Sequence, residues 1–164
     1  MALNHIANTA VRSASGQTLP VIDPADGQTY DTIERSNAAD VDAAVQAARQ
    51  CLDGAWGRLT AAERGRLLMK LSAKVAEHAD ELAAIEQRDC GKPTKQAKAD
   101  ALALVRYFEF YAGAGDKLHG DTIPYLDGYS VLTWREPHGV TGHVIPWNYP
   151  MQIFGRSVGG ALAA

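Results

Sequence analysis

Apolar side chains recur at the spacing of an α-helix in three stretches between residues 38 and 118. The first stretch, "NAADVDAAVQAARQCL", opens with Asn37 three residues before Asp40, which predicts a capped helix start, and "DGAWGRL" ends it. The third, "TKQAKADALALVRYFEFYAGAGDKL", opens with Thr94, a predicted cap. The predicted inner faces are Val41, Val45, Ala48 and Leu52 in the first helix, and Ala97, Ala101, Leu104, Phe108 and Tyr111 in the third.

The second stretch has the clearest helix boundaries. Thr60 and Glu63 have the spacing of a capping box, in which each side chain accepts a hydrogen bond from the other residue's backbone amide. Gly91 and Pro93 end the pattern, and a local break is predicted near Asp80. The apolar stripe between these limits consists of Leu68, Leu71, Val75, Leu82 and Ile85.

Strand patterns lie on either side of this helical region. "LPVIDPADGQTYDTI", residues 19–33, predicts a hairpin that turns at residues 23–27. "TIPYLDGYSVLTWREP" predicts a second hairpin around Asp127 and Gly128. "GVTGHVI", residues 139–145, predicts a short buried strand, and "MQIFGRSVGGALAA" predicts the opening of a helix.

The two ends of the chain differ in character. Residues 1–18 are rich in Ala, Ser, Asn and Thr and predict a flexible leader. At the other end, one strand and the start of one helix form an unfinished α/β unit, since a parallel sheet needs crossovers and further strands to cover both faces. We therefore expect the sequence to be the front part of a longer protein.

Composition narrows the functional classes. Hydrophobic residues make up 46% of the chain and charged residues 21%, which favours a packed core over disorder. The net charge of −3 gives no reason to expect nucleic acid or an anionic membrane as a partner, and no stretch approaches the ~20 apolar residues of a membrane span. Two cysteines form neither a disulfide framework nor a metal site. With no secretory signal pattern, a cytoplasmic location is expected.

The most unusual segment is "HVIPWNYPMQIF", in which Asn148 lies between Pro146 and Pro150. A proline fixes its own φ and restricts the residue before it, so the backbone here has little freedom. Taken alone, the asparagine is a turn residue, because Asn supports tight turns. The alternative is a carboxamide held rigidly for a chemical purpose.

The wider segment "EPHGVTGHVIPWNYP" closely resembles the aldehyde dehydrogenase superfamily, whose pattern is Glu-Pro, Gly-Val, an apolar strand, then Pro-Trp-Asn-Phe/Tyr-Pro. "IDPADGQ", "AAVQAAR", "RGRLLMKL", "RDCGKP" and "FYAG" before "KLHGDTIP" agree in order, so the resemblance extends from about residue 19 to the last residue. It implies an α/β fold, the N-terminal part of the aldehyde dehydrogenase fold. Residues 19–120 would be the first hairpin and the helical start of the Rossmann-like cofactor domain, residues 121–137 an oligomerisation-arm hairpin, and residues 138–164 the first cofactor-side strand, the Pro-Trp-Asn-Tyr-Pro loop and the start of a helix.

The same resemblance implies a reaction. In the family a cysteine thiolate attacks an aldehyde, hydride passes to NAD or NADP, and water activated by a glutamate hydrolyses the thioester. Asn148 matches the asparagine that donates to the oxyanion, a role suited to an uncharged amide NH₂. Neither that cysteine nor that glutamate has a match in residues 1–164, so this chain alone is expected to be inactive. Cys90, at a helix C-terminus, is a poor nucleophile.

Further site residues follow by matching. Val144, Ile145, Pro146 and Trp147 would line the nicotinamide side of the cofactor site. Residues of the aldehyde tunnel would be Tyr149, Ile153 and Arg156. Arg156 departs from the aromatic residue often found there, and either selects an anionic aldehyde or is a solvent-facing helix arginine. Asp89 matches a carboxylate that some members place near a monovalent cation.

The sequence supports three functional hypotheses. The first is the N-terminal part of an aldehyde dehydrogenase that assembles as a homo-oligomer through residues 121–137. The second is a naturally truncated, non-catalytic module that binds an intact relative. The third is a generic helical adaptor, in which the Pro-Trp-Asn-Tyr-Pro segment is coincidental.

Overall fold

A computed structural model describes all 164 residues, and it is a mixed α/β arrangement. Three separate two-stranded antiparallel sheets accompany five α-helices. The elements are β1 (Asn4–Ile6), β2 (Thr9–Val11), β3 (Thr18–Ile22), β4 (Thr29–Glu34), α1 (Ala38–Asp53), α2 (Ala61–Glu77), α3 (Ala79–Cys90), α4 (Thr94–Ala112), a 3₁₀ turn (Gly115–Lys117), β5 (Thr122–Ile123), β6 (Val131–Leu132) and α5 (Pro150–Ala163). None of the helices is both long enough and apolar enough to cross a bilayer.

The N-terminal region differs from the flexible leader predicted for residues 1–18. Strands β1 and β2 pair as a short hairpin through Ala7 and Asn8, which both have positive φ. Ala2 lies beside β4, where its N–H donates to the Thr32 carbonyl over 2.8 Å. The sequence does not predict this hairpin, because its turn contains no glycine and each strand is only three residues long.

The predicted hairpin of residues 19–33 is present as β3 and β4, in antiparallel register with Leu19 opposite Ile33. Ser13 connects this region to α1: its Oγ donates to Asp40 Oδ2 over 2.7 Å, and its N–H donates to Glu34 Oε2 over the same distance. The leader segment is therefore attached to the start of the helical region.

The helix boundaries largely follow the predicted caps. Asn37 and Asp40 form a capping box at α1, and Thr60 and Glu63 form one at α2. The break predicted near Asp80 falls at His78, which separates α2 from α3. The predicted cap at Thr94 is wrong: Pro93 occupies the N-cap position, and the Thr94 hydroxyl donates to Gln87 instead.

The core lies where α2, α4 and α5 meet. Leu68, Val75, Leu104, Phe108 and Ala163 are buried there, and small residues on α3 and α4 (Ala83, Ala97 and Ala101) form a second cluster. The predicted inner faces are only partly correct, because several of their members are exposed: Val41, Leu52, Leu71 and Ile85.

Two glycines allow α5 to approach α4 closely. A Cβ on Gly155 would lie 2.9 Å from Leu104 Cδ1, and one on Gly159 would lie 2.8 Å from Tyr111 Cδ2. Real Cβ atoms do not occur at such distances, so larger residues here would separate the two helices.

The region after α4 departs most from the prediction. The hairpin of residues 121–137 is present, but only β5 and β6 pair, and a turn between Leu126 and Tyr129 lies within a longer loop. The strand predicted for residues 139–145 is absent, and the segment has no regular secondary structure. A strand needs a neighbour for its backbone groups, and no other strand of this chain lies beside the segment. Helix α5 begins at Pro150, as the helix prediction for the last residues requires.

Candidate active site

The candidate site is the loop formed by Pro146, Trp147, Asn148, Tyr149 and Pro150, called here the 146–150 loop. It connects the irregular segment of residues 133–145 to the first residue of α5. Proline at the first helical position lacks the N–H that would have no helical partner, and its fixed φ suits the helix. The loop is therefore rigidly joined to α5.

Asn148 is exposed, and its carboxamide forms no hydrogen bond within the chain. An amide tied to backbone carbonyls would have excluded an oxyanion role, and this arrangement does not occur. The side chain is free to donate to an added group. A free amide NH₂ is chemically suited to an oxygen that gains negative charge.

Asn148's two neighbours are attached to the end of α3. Cys90 Sγ donates to the Trp147 carbonyl over 3.0 Å, and Lys92 Nζ lies 4.2 Å from the centre of the Tyr149 ring. Gly91, with φ of +69°, ends α3 in the left-handed region and turns the chain between these two residues. Neither Cys90 nor Lys92 is predicted as a site residue from the sequence.

The four residues matched to the nicotinamide side run consecutively into the loop. Val144 is 97% exposed and Trp147 is 80% exposed, whereas Ile145 is half-buried and Pro146 is exposed. An exposed apolar and aromatic surface of this kind fits one face of a nicotinamide ring. These four residues can therefore supply one wall of a cofactor site.

The residues matched to the aldehyde tunnel lie on one side of α5, because Tyr149, Ile153 and Arg156 are spaced by four and three positions. Arg156 Nε donates to the Tyr107 hydroxyl over 2.7 Å, and Nη2 donates to Gln152 Oε1 over 3.2 Å. The Phe154 ring meets Phe108 edge to face at 6.2 Å, which anchors the same helix to α4.

A separate cavity of about 510 Å³ lies between α1, α5 and the irregular segment. Its lining includes Cys51, Trp56, Val140, His143 and Leu162, and no residue of the 146–150 loop. Cys51 is exposed there. His143 is bonded to Ser157 and Thr141, a structural arrangement.

Asp89, the candidate cation ligand, lies beside an aromatic ring and an arginine. The Tyr30 hydroxyl donates to Asp89 over 3.4 Å, and Arg88 lies 4.1 Å from the Tyr30 ring centre. No group of three or more His, Cys, Asp or Glu side chains is arranged for a metal ion, so the cation role of Asp89 stays a prediction. Burial raises the pKa of the Cys90 thiol, and Asp89 and Glu86 raise it further, which fits a donor rather than a nucleophile.

The fold and the 146–150 loop together indicate the class of protein. It is part of an α/β enzyme fold, in which the Asn148 carboxamide is exposed just before the start of α5. The family model for the aldehyde dehydrogenase family matches residues 10–164. The chain belongs to the aldehyde dehydrogenase family, and it corresponds to the family's N-terminal portion.

Individual relatives agree with this assignment. Aldehyde dehydrogenase family 2 member B4, a mitochondrial protein of Arabidopsis thaliana, is 44% identical over 155 residues, which are 93% of this chain and 29% of that protein. A solved structure from Burkholderia cenocepacia is 64% identical with a TM-score of 0.97, over 99% of this chain and 34% of that one. The chain thus spans about a third of the length of the relatives that it matches.

Solved relatives use both nicotinamide cofactors. An NAD-dependent aldehyde dehydrogenase from Sinorhizobium meliloti is 34% identical, with a TM-score of 0.94 over 99% of this chain and 33% of that one. An NADP-dependent enzyme from E. coli is 33% identical, with a TM-score of 0.93 over 99% of this chain and 34% of that one.

Proposed function

We propose that residues 1–164 form the N-terminal part of an NAD(P)-dependent aldehyde dehydrogenase that oxidises an aldehyde to a carboxylic acid. The proposal depends on one observation, which is that the Asn148 side chain is free to donate a hydrogen bond. Its carboxamide is exposed and unbonded, while the residues on both sides are held by Cys90 and Lys92. A donor fixed before the reaction reorganises little when negative charge develops near it.

In this proposal Asn148 donates a hydrogen bond to the aldehyde oxygen as a thiolate adds to the carbonyl carbon. The thiolate and the general base come from outside residues 1–164, since Cys90 donates to a carbonyl and Cys51 lines a different cavity. Residues 1–164 alone are therefore inactive. A neutral amide serves better than a carboxylate, which would present a lone pair and a like charge to the oxyanion.

The cofactor, when bound, accepts the hydride. Val144 and Trp147 would contact one face of its nicotinamide ring, with Ile145 and Pro146 completing that wall. These residues supply an apolar surface that excludes water from the reacting atoms.

The test is aldehyde-dependent reduction of NAD or NADP by the full-length protein that contains this chain. Asn148→Ala is expected to lower kcat by ~10²-fold or more, as for the loss of one oxyanion donor. Gln46→Ala, which removes an exposed carboxamide from α1, is the matched control and should leave kcat unchanged.

Unchanged turnover in Asn148→Ala, in an enzyme whose chemical step limits the rate, would remove the role proposed for this residue. A protein that reduces neither cofactor with any aldehyde, yet co-purifies with an intact relative, would instead support the non-catalytic module.

A further inference from the structure

A buried ionic cluster lies directly beneath the 146–150 loop. Lys92 Nζ donates to Glu86 Oε1 over 2.5 Å and to Asp100 Oδ2 over 2.6 Å. The Lys92 side chain is 10% exposed, and the two carboxylate side chains are 2% and 0% exposed. We call Glu86, Lys92 and Asp100 the Lys92 cluster.

The Lys92 cluster joins three helices at one point. Glu86 belongs to α3 and Asp100 to α4, while Gln152 of α5 donates through Nε2 to Asp100 Oδ1 over 2.7 Å. Gln96 donates to the same oxygen over 2.8 Å. The end of α3, the start of α4 and the first turn of α5 are therefore held together by charge-assisted hydrogen bonds.

Lys92 keeps its charge in this position. Burial disfavours the ammonium form, but hydrogen bonds from Lys92 to Asp100 and Glu86 outweigh burial and raise the pKa of Lys92. The pKa of Asp100 is lowered because bonds from Lys92, Gln152 and Gln96 outweigh the effect of its burial. A full positive charge therefore lies below the Tyr149 ring, where the negative face of the aromatic system attracts it.

Thermodynamic stability is a poor explanation for such a cluster. Desolvation of buried ion pairs offsets most of their attraction, and apolar residues of similar volume often stabilise a fold as well or better. One oxygen, Glu86 Oε2, is buried with no partner, a further cost to stability. What an apolar replacement would lack is the cation held against Tyr149.

We propose that Lys92 is a positioning residue that fixes Asn148 in its reactive orientation by holding the Tyr149 ring. This inference rests on the proposed function. Tyr149, which follows Asn148 directly, contacts Lys92 through its ring. Trp147, which precedes Asn148, accepts a hydrogen bond from Cys90 at its carbonyl. Asn148 therefore lies between two residues that are both held in place. Its own side chain stays free, because all the restraint acts through its neighbours. A misplacement of about 1 Å in such a donor can lower the rate by up to ~10²-fold.

The experiment is a double-mutant cycle between Lys92 and Asn148 in the full-length protein. Lys92→Met is expected to lower kcat by about tenfold with KM changed less than about twofold, because a displaced donor weakens the transition state more than substrate binding. Lys92→Arg, which keeps the cation, should restore most of the loss. In the Asn148→Ala background, Lys92→Met should cause no further loss of kcat.

The matched control is Lys98→Met. Lys98 also lies near the start of α4 and pairs with one carboxylate, Asp80, but on the exposed surface. The Lys98→Met variant should have the kcat and KM of the unmodified protein. If Lys92→Met lowers kcat equally with and without Asn148, Lys92 acts on another part of the enzyme and the proposal is wrong.

Lys92→Met leaves two buried carboxylates without a cation, and this alone destabilises the fold. A second variant, Glu86→Gln with Lys92→Met and Asp100→Asn, removes all three charges and keeps the shape. This variant should fold with a denaturation midpoint close to that of the unmodified protein and show the same loss of kcat. Normal kcat in this folded variant would overturn the proposal.

A crystal structure of the charge-free variant separates this proposal from the proposed function. Relative to α2, residues 147–149 should have B-factors about twofold higher than in the unmodified protein, or the Asn148 carboxamide should be displaced by about 1 Å. If Asn148→Ala leaves turnover unchanged but residues 147–149 loosen or move in this way, the positioning stands and the catalytic role of Asn148 fails. An unchanged position with unchanged B-factors at residues 147–149 would overturn the positioning itself.

Discussion

Arg156 carries a charge that no acidic residue of this chain neutralises. Its partners are neutral: the Tyr107 hydroxyl and the Gln152 side-chain carbonyl. The guanidinium lies 5.2 Å from the Tyr107 ring centre, so its orientation is fixed while its charge remains available. Arg156 is also exposed, as a solvent-facing helix arginine would be, so both readings stay open. We propose that Arg156 selects an anionic aldehyde.

We expect Arg156→Met to raise KM about tenfold for an aldehyde that carries a distal carboxylate, the effect of losing one charge-assisted hydrogen bond. KM for a neutral aldehyde of the same length should change little. Arg106→Met is the control, because Arg106 pairs with Glu109 on the exposed side of α4. An equal change for both aldehydes would identify Arg156 as a packing residue only.

Some residues of the candidate site can be predicted from the sequence, and others cannot. Asn148 is recognisable because two prolines and a tryptophan surround it within five positions. The role of Lys92 is not, because its partner Tyr149 lies 57 positions away. Only the three-dimensional approach of α3 to the start of α5 brings the two together, and no local pattern encodes that approach.

The two threonines that the sequence predicts as helix caps behave differently in the structure. The Glu63 amide donates to Thr60 Oγ1 over 3.3 Å, and the Thr60 amide donates to Glu63 Oε2 over 2.8 Å. Thr94 is already the first helical residue, and its hydroxyl bonds to Gln87.

Thr60→Ala should therefore lower the free energy of unfolding by about 1 kcal/mol, the usual effect of losing an N-cap. Thr94→Ala is the matched control and should lower it by less than half as much. The measurement is the urea midpoint of each variant at unchanged slope. Equal losses would mean that the capping box at α2 contributes no more than an ordinary side-chain hydrogen bond.

Helices were predicted better than strands for a physical reason. A helix such as α2 satisfies its backbone within its own sequence, and its start and stop signals are local. A strand depends on a neighbour, and residues 139–145 have no strand of this chain beside them. The hairpin of β1 and β2 escaped prediction for the opposite reason, because its turn at Ala7 and Asn8 carries no glycine signal.

The β5–β6 hairpin and the residues next to it expose a group of large apolar side chains to solvent. Tyr125, Leu126, Tyr129, Leu132 and Trp134 are each more than half exposed. A two-stranded hairpin is marginally stable in water without something to pack on, and contiguous apolar surface marks interaction sites. We propose that a second copy of the protein covers this hairpin.

Leu126→Ser should shift the full-length protein towards smaller assemblies at micromolar concentration, measured by light scattering after size exclusion. Leu102→Ser is the control: Leu102 is 59% exposed on α4, and Leu126 is 65% exposed on the hairpin. An unchanged mass for Leu126→Ser, or an equal shift for both variants, would place the subunit contact elsewhere.

The close approach of α5 to α4 links the helical core to Asn148. Gly155 and Gly159 touch neither substrate nor cofactor in the proposed reaction, yet Asn148 lies two residues before the first residue of α5. A Cβ at either glycine would meet side-chain atoms of α4 at less than 3 Å, so these side chains or α5 itself would have to shift. We expect a shift of α5 to displace the carboxamide, so that a methyl group added far from the reacting atoms lowers turnover.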